Sequence, residues 1–172
     1  MKKAIWLGVA IVVLAAILGV ANVHSHSLPS DVTADRVLVE KTARRLTLLR
    51  HGVPLKRYRV ALGRQPVGDK GRQGDNRTPE GVFVIDGRKS DSAFHRALHV
   101  SYPDPTHVAH ANQLGVDPGG DIMIHGLRNG LGWVGSLHRL FDWTAGCMAL
   151  TNSEIEEVWR AVPDGTPVEI RP

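Results

Sequence analysis

"DRVLVEKTARRLTLLRHGVPLKRYRVALG", residues 35–63, carries the pattern on which the fold turns. Val37 and Val39 alternate with Leu38 and Glu40, and Leu46 and Leu48 alternate with Thr47 and Leu49. His51-Gly52 supplies a turn before a third run, in which Tyr58, Val60 and Leu62 share one face. A period of two over three short runs predicts three strands, with the Tyr58 face turned inward. Residues 63–79 are punctuated by glycine and proline without apolar periodicity, and predict a long loop. "EGVFVIDG", "ALHVSYP", "DIMIHG", "CMAL" and "PVEIR" resume strand character. Two helices stand out. Residues 105–115 begin at Pro105 and end at Gly115. "TNSEIEEVWRAV" pairs Thr151 with Glu154 as a capping box, carries Ile155, Val158, Trp159 and Val162 on one stripe, and stops at Pro163. The expectation is a mostly β single domain, sandwich-like, with mixed sheets of seven or eight strands and two or three short helices.

Ahead of that domain, Met1-Lys2-Lys3 precedes an apolar run from Ala4 to Val23 in which only Asn22 is clearly polar. A helix of about 20 such residues reaches roughly 30 Å, the thickness of a bilayer's hydrocarbon. Residues 1–23 are therefore expected to be a signal anchor, or a signal peptide cut after Gly19-Val20-Ala21. The two lysines keep the N-terminus inside, so the remainder is expected outside the cytoplasmic membrane. Residues 24–34 lack periodicity and predict a linker, with His24 and His26 solvated rather than metal-bound; residues 35–172 form the domain.

Charge is uneven along the domain. Residues 36–77 hold 12 Lys or Arg against 3 Asp or Glu, and residues 78–172 hold 7 against 12. A basic patch attracts anions, and outside the membrane these are carboxylate-rich polymers rather than nucleic acid. A solvated basic sheet face is the plainer alternative. His107 and His110 lie one turn apart on a helix, but no third ligand has zinc spacing, so neither a metal nor another cofactor is expected.

Cys147 is the only cysteine. In an oxidising compartment an odd cysteine is an intermolecular partner or a free reactive thiol, and buried filler is the third possibility. Its neighbours favour chemistry. A thiol nucleophile needs a base, a group that orients the base, and donors for an oxyanion. His125 ends a buried strand and is followed by Gly126, whose carbonyl is free to approach an imidazole N–H. Gly146 precedes Cys147 and permits a tight turn that aims backbone N–H groups at one point.

"IMIHG" (122–126), "TAGCMALTN" (144–152) and the upstream "GDNRTPEGVFVI" (74–85) resemble, in order and spacing, the catalytic domain of the L,D-transpeptidases, the YkuD-type family. The resemblance runs from about Val37 to Ile170. It implies a β-rich fold whose cysteine attacks a peptidoglycan stem peptide and passes the acyl group to an acceptor amine. It implies Cys147 as nucleophile, His125 as base, the Gly126 carbonyl as its orienting group and Thr144 as a brace for the turn. The amides of Gly146 and Cys147 would form the oxyanion hole. The family usually has histidine where Ala145 stands and arginine where Ala149 stands. Arg128 or Arg139 is expected to replace the missing carboxylate ligand. Residues 127–143, with Trp133 among their apolar side chains, are expected to cover the site. A monomer is expected.

Other readings fit less well. A sortase-like transpeptidase needs a longer His-to-Cys separation and an arginine on a strand soon after the cysteine. A papain-like peptidase has cysteine before histidine. An L,D-carboxypeptidase would use the same residues with water as acceptor. A cell-wall-binding module would leave the His-Gly and Thr-x-Gly-Cys pair without a purpose.

Overall fold

The computed structural model describes residues 2–23 and 27–172, with the side chains of Lys2 and Ala4 set aside, so His24 and His26 lie outside the described residues. The three expected strands form an antiparallel meander: β1 (Arg36–Glu40), β2 (Arg45–Arg50) and β3 (Val53–Arg59). His51 and Gly52 both take positive φ, 53° and 77°, the geometry that joins twisted strands through a two-residue loop. Tyr58, Val60 and Leu62 are buried, as the alternation requires.

β4 (Gly81–Ser92), β5 (His95–Val100), β6 (Met123–His125), β7 (Met148–Ala149) and β8 (Pro167–Arg171) complete one mixed sheet of eight strands. Its order is β3-β2-β1-β8-β4-β5-β6-β7. β4 pairs with β8 over residues 81–84, shifts register after Ile85, and then pairs with β5. One strand thus serves both halves, which bend around a shared core. Val37, Val39, Leu46 and Leu48 from one half meet Leu98, Ile124, Met148 and Leu150 from the other, all fully buried. The segment after β3 then reaches the far end of the order. Ala61 bridges Ala149, and Gly63 bridges Thr144. The expected mostly β domain is present, with one mixed sheet of eight strands in place of several.

Three helices flank it. α1 is Lys2–Ala21, and α2 is Pro105–Leu114, capped by Asp104 and by Gly115 in the left-handed conformation. On α2, His107 turns inward against Phe83 and Tyr102, between Asp104 and Asp69, while His110 is exposed. α3 (Asn152–Ala161) begins with the expected capping box and buries Ile155 and Val158 against the sheet. Trp159 is held between the guanidinium groups of Arg88 and Arg96.

One N-terminal expectation, the free linker, changes. Among the described residues no helix is long and apolar enough to cross a membrane. α1 nevertheless leaves Ile5, Trp6, Leu7, Ile11 and Leu14 exposed. The linker is not a free tether after residue 27. Leu28 donates its N–H to Glu157 and accepts from Arg160, and the Ala34 N–H bonds the Ala161 carbonyl at 2.7 Å. Backbone groups that α3 can satisfy seat this segment along the helix.

Candidate active site

The site is assembled from two strand ends and a loop. His125 is the last residue of β6, and its register partners on either side are Ala97 and Ala149. Registered partners share a face of the sheet, so the ring stands between two methyl groups, both fully buried. Phe94 lies 4.7 Å and Trp143 5.8 Å from it, centroid to centroid. Its Nδ1 donates to the Gly126 carbonyl at 2.7 Å. A carbonyl only accepts, so this bond puts the proton on Nδ1 and leaves the Nε2 lone pair free. Gly126 has no room for a side chain: a Cβ would sit 2.9 Å from Ile155 and 3.0 Å from Asn152. Its N–H is shared by the carbonyls of Phe94 and Arg96, both at 3.1 Å.

Cys147 leads into β7. Thr144 braces the turn before it, because its hydroxyl donates to the Cys147 carbonyl at 2.7 Å and accepts from the Gly146 N–H at 3.1 Å. Gly146 takes φ of 141°, and a Cβ there would come within 2.6 Å of the Arg77 carbonyl. The turn before Cys147 therefore rests on the 63–79 loop. That loop is ordered around a buried ion pair, Lys70 to Asp75 at 2.8 Å. Burial alone would raise the Asp75 pKa, but Lys70 and the N–H groups of Gly71, Arg72 and Arg77 hold it below the usual carboxylate range.

His125 and Cys147 both line one cleft of about 820 Å³. At rest the thiol donates to the Asp121 carbonyl at 3.5 Å, and among the described residues no hydrogen bond joins it to the His125 ring. Burial pushes the Cys147 pKa up, offset in part by a backbone hydrogen bond from Met123. Burial also pushes the His125 pKa down, against the Gly126 bond that favours the cation. Both shifts favour a neutral thiol beside a neutral imidazole over a standing ion pair. Alkylation of the folded protein by iodoacetamide should therefore rise through a midpoint above the thiol's ordinary 9.0. A reaction that uses neutral His125 should lose rate on acidification only below the ordinary 6.5, where the ring finally gains its proton. Rate-against-pH curves for both check this, and an alkylation midpoint below neutrality would point to a resting thiolate.

Other expected site residues fall elsewhere. The Gly146 N–H is already bonded to Thr144, whereas the Cys147 N–H has no bonded acceptor among the described residues. Arg139 points away from the cleft, pairs with Glu154 and lines a separate pocket beside Asn22 and Lys56. Arg128 is exposed and does not line the cleft. Trp133 is 60% exposed in a 3-10 helix, Gly132–Leu140, and its carbonyl accepts from Asn22 at 2.9 Å. The helix is kinked at Gly135, and of residues 127–143 only Trp143 lines the cleft. Trp143 is held from behind by His138, whose Nδ1 accepts the indole N–H at 3.3 Å. Burial, then the charges of Arg139 and His125, push the His138 pKa down to about 3, so it stays a neutral acceptor. Sequence reasoning missed Arg64, Lys89, Asp91, Phe94 and Asp121 as cleft walls. Only the basic bias of residues 36–77 hinted at Arg64.

Comparison with known proteins identifies the family. The L,D-transpeptidase catalytic domain (YkuD) family matches residues 34–170. YafK of Escherichia coli strain K12, a protein named for L,D-transpeptidase activity, is 29% identical over 111 residues, which is 63% of this chain and 37% of YafK. The chain thus spans little more than a third of that relative. The helical cell shape determining protein Pgp2 from Campylobacter jejuni shares the fold, with a TM-score of 0.63 and 24% identity over 90% of this chain and 53% of Pgp2. An L,D-transpeptidase from Enterococcus faecium has a TM-score of 0.52 and 13% identity over 81% of this chain and 50% of its own. With the family match unbroken from the first strand of the sheet to the last, this chain belongs to the L,D-transpeptidase (YkuD) catalytic-domain family.

Proposed function

We propose that this protein is a peptidoglycan L,D-transpeptidase that works through a cysteine acyl-enzyme. The observation that carries the reading is the single cleft lined by both Cys147 and His125, with His125 held by Gly126 so that Nε2 is its free basic atom. Cys147 Sγ gives its proton to His125 Nε2 and bonds to the carbonyl carbon of the third residue of a stem tetrapeptide. The C–N bond to the terminal D-alanine breaks, and that amine leaves with the proton from His125. An acceptor amine then attacks the thioester, and its proton returns through His125 to the sulfur. The thiol must first leave the Asp121 carbonyl for the imidazole. The Cys147 N–H is the donor placed to stabilise the oxyanion. Ala145 and Ala149 remove side chains the family commonly has, but neither is the nucleophile or the base.

The reaction belongs outside the cytoplasm, where peptidoglycan is. Lys2, Lys3 and the apolar run that follows them support export, as leader or as anchor. Fractionation of intact cells and the N-terminal sequence of the mature protein check this, and an uncut cytosolic product contradicts it. The activity is tested by incubating the purified protein with a stem tetrapeptide and an acceptor peptide. Release of D-alanine with formation of a cross-linked product supports transpeptidation. A free tripeptide instead makes water the acceptor, and unchanged peptides remove the reading.

A further inference from the structure

Two cations line the cleft, and they differ. Lys89 on β4 reaches Asp121 at 3.7 Å, so its charge already has a partner. Arg64 is exposed, and among the described residues nothing is bonded to its guanidinium. Its backbone is nonetheless firmly placed. The Arg64 N–H donates to the Thr144 carbonyl at 3.0 Å, the Gly63 N–H to the Thr78 hydroxyl at 3.1 Å, and the Gln65 N–H to the Asn76 carbonyl at 3.0 Å. Thr144 is also the residue that braces Cys147, so Arg64 and the nucleophile are registered through one side chain's neighbourhood. Arg64, Ala145 and Cys147 line the same cleft, and Ala145 is exposed with only a methyl group for a side chain. Ala149 is fully buried and offers no competing charge.

An unpaired planar fork at a water-facing cleft is suited to a carboxylate, which it grips with two parallel N–H···O bonds. The proposed reaction removes a single terminal residue, and such end-specificity needs a group that distinguishes a free chain end from a continuing peptide. We propose that Arg64 is that group: it binds the terminal carboxylate of the donor peptide and makes the enzyme specific for a free C-terminus. This rests on the acyl-enzyme reading above.

The test compares a stem tetrapeptide with its C-terminal amide, using the full chain and following thioester formation by intact mass. The wild type should prefer the free acid by about 10- to 100-fold in kcat/KM, the range of a charge-assisted hydrogen bond to a charged group, with most of the effect in KM. Arg64→Gln should lower the acid to the amide's level and leave the amide's rate and the thermal melt unchanged. Arg64→Lys should restore part of the preference, and Lys89→Gln should keep all of it. Arg64→Gln with its acid preference intact, or Lys89→Gln without it, overturns the assignment while the function stands. A wild type that forms no thioester with either peptide overturns both.

Discussion

His125→Ala should slow the acylation of Cys147 by at least about 100-fold, the usual scale for a lost general base. The ring is buried between Ala97 and Ala149, so a second variant, His125→Gln, fills most of the volume without supplying a base. Both should melt as cooperatively as the wild type, and both should acylate slowly. Because base and nucleophile act as one unit, His125→Ala combined with Cys147→Ser should be no worse than Cys147→Ser alone. Time courses of adduct formation by intact mass decide the matter. A His125→Ala enzyme at close to the wild-type rate would give the base's role to another residue.

Gly146→Ala is expected to damage fold and chemistry together. Its φ of 141° costs an alanine about 1–3 kcal/mol. The new Cβ would also sit 2.6 Å from the Arg77 carbonyl, a backbone atom fixed by the Lys70–Asp75 loop. Either that loop or the nucleophile turn has to move. A loss of about 5–10 °C in Tm follows at roughly 2–4 °C per kcal/mol for a chain of this size, together with an acylation rate reduced at least about tenfold. Gly165→Ala is the control. Gly165 also has positive φ, 81°, but nothing lies within 4 Å of its Cβ position. It should cost backbone strain alone and leave acylation untouched. Equal rates for the two variants would mean that the turn is not braced against Arg77.

What was legible in the sequence was local. Alternation placed Tyr58, Val60 and Leu62 inside, and His51-Gly52 had turn chemistry that two consecutive left-handed residues satisfy. Thr151 and Glu154 marked the start of α3 because both partners of a capping box lie within one turn. Cys147, His125 and their glycines were legible for the same reason, since each motif is a short backbone device. The walls of the cleft were not. Arg64 meets Thr144 across 80 residues of chain, where the bridge at Gly63 and the hydrogen bonds beside it bring them together. Arg139 has the same chemistry as Arg64 but is consumed by Glu154, a carboxylate that the sequence had already assigned to the capping box. Of residues 127–143, expected as a cover, only Trp143 lines the cleft, while Trp133 and Leu140 are exposed and the 3-10 helix that holds them is kinked at Gly135 (φ 54°, ψ −138°). Apolar composition cannot say which way a kink will turn.

The central claim is a covalent one, so its most direct test is covalent. The purified protein is mixed with a stem tetrapeptide, quenched in acid, and examined by intact-mass spectrometry followed by peptide mapping. The protein should gain the mass of a tripeptide acyl group, removable by hydroxylamine as a thioester is, and located on Cys147. Cys147→Ser should show no such gain. An adduct on another residue, or Cys147→Ser acylated at the wild-type rate, would contradict the account.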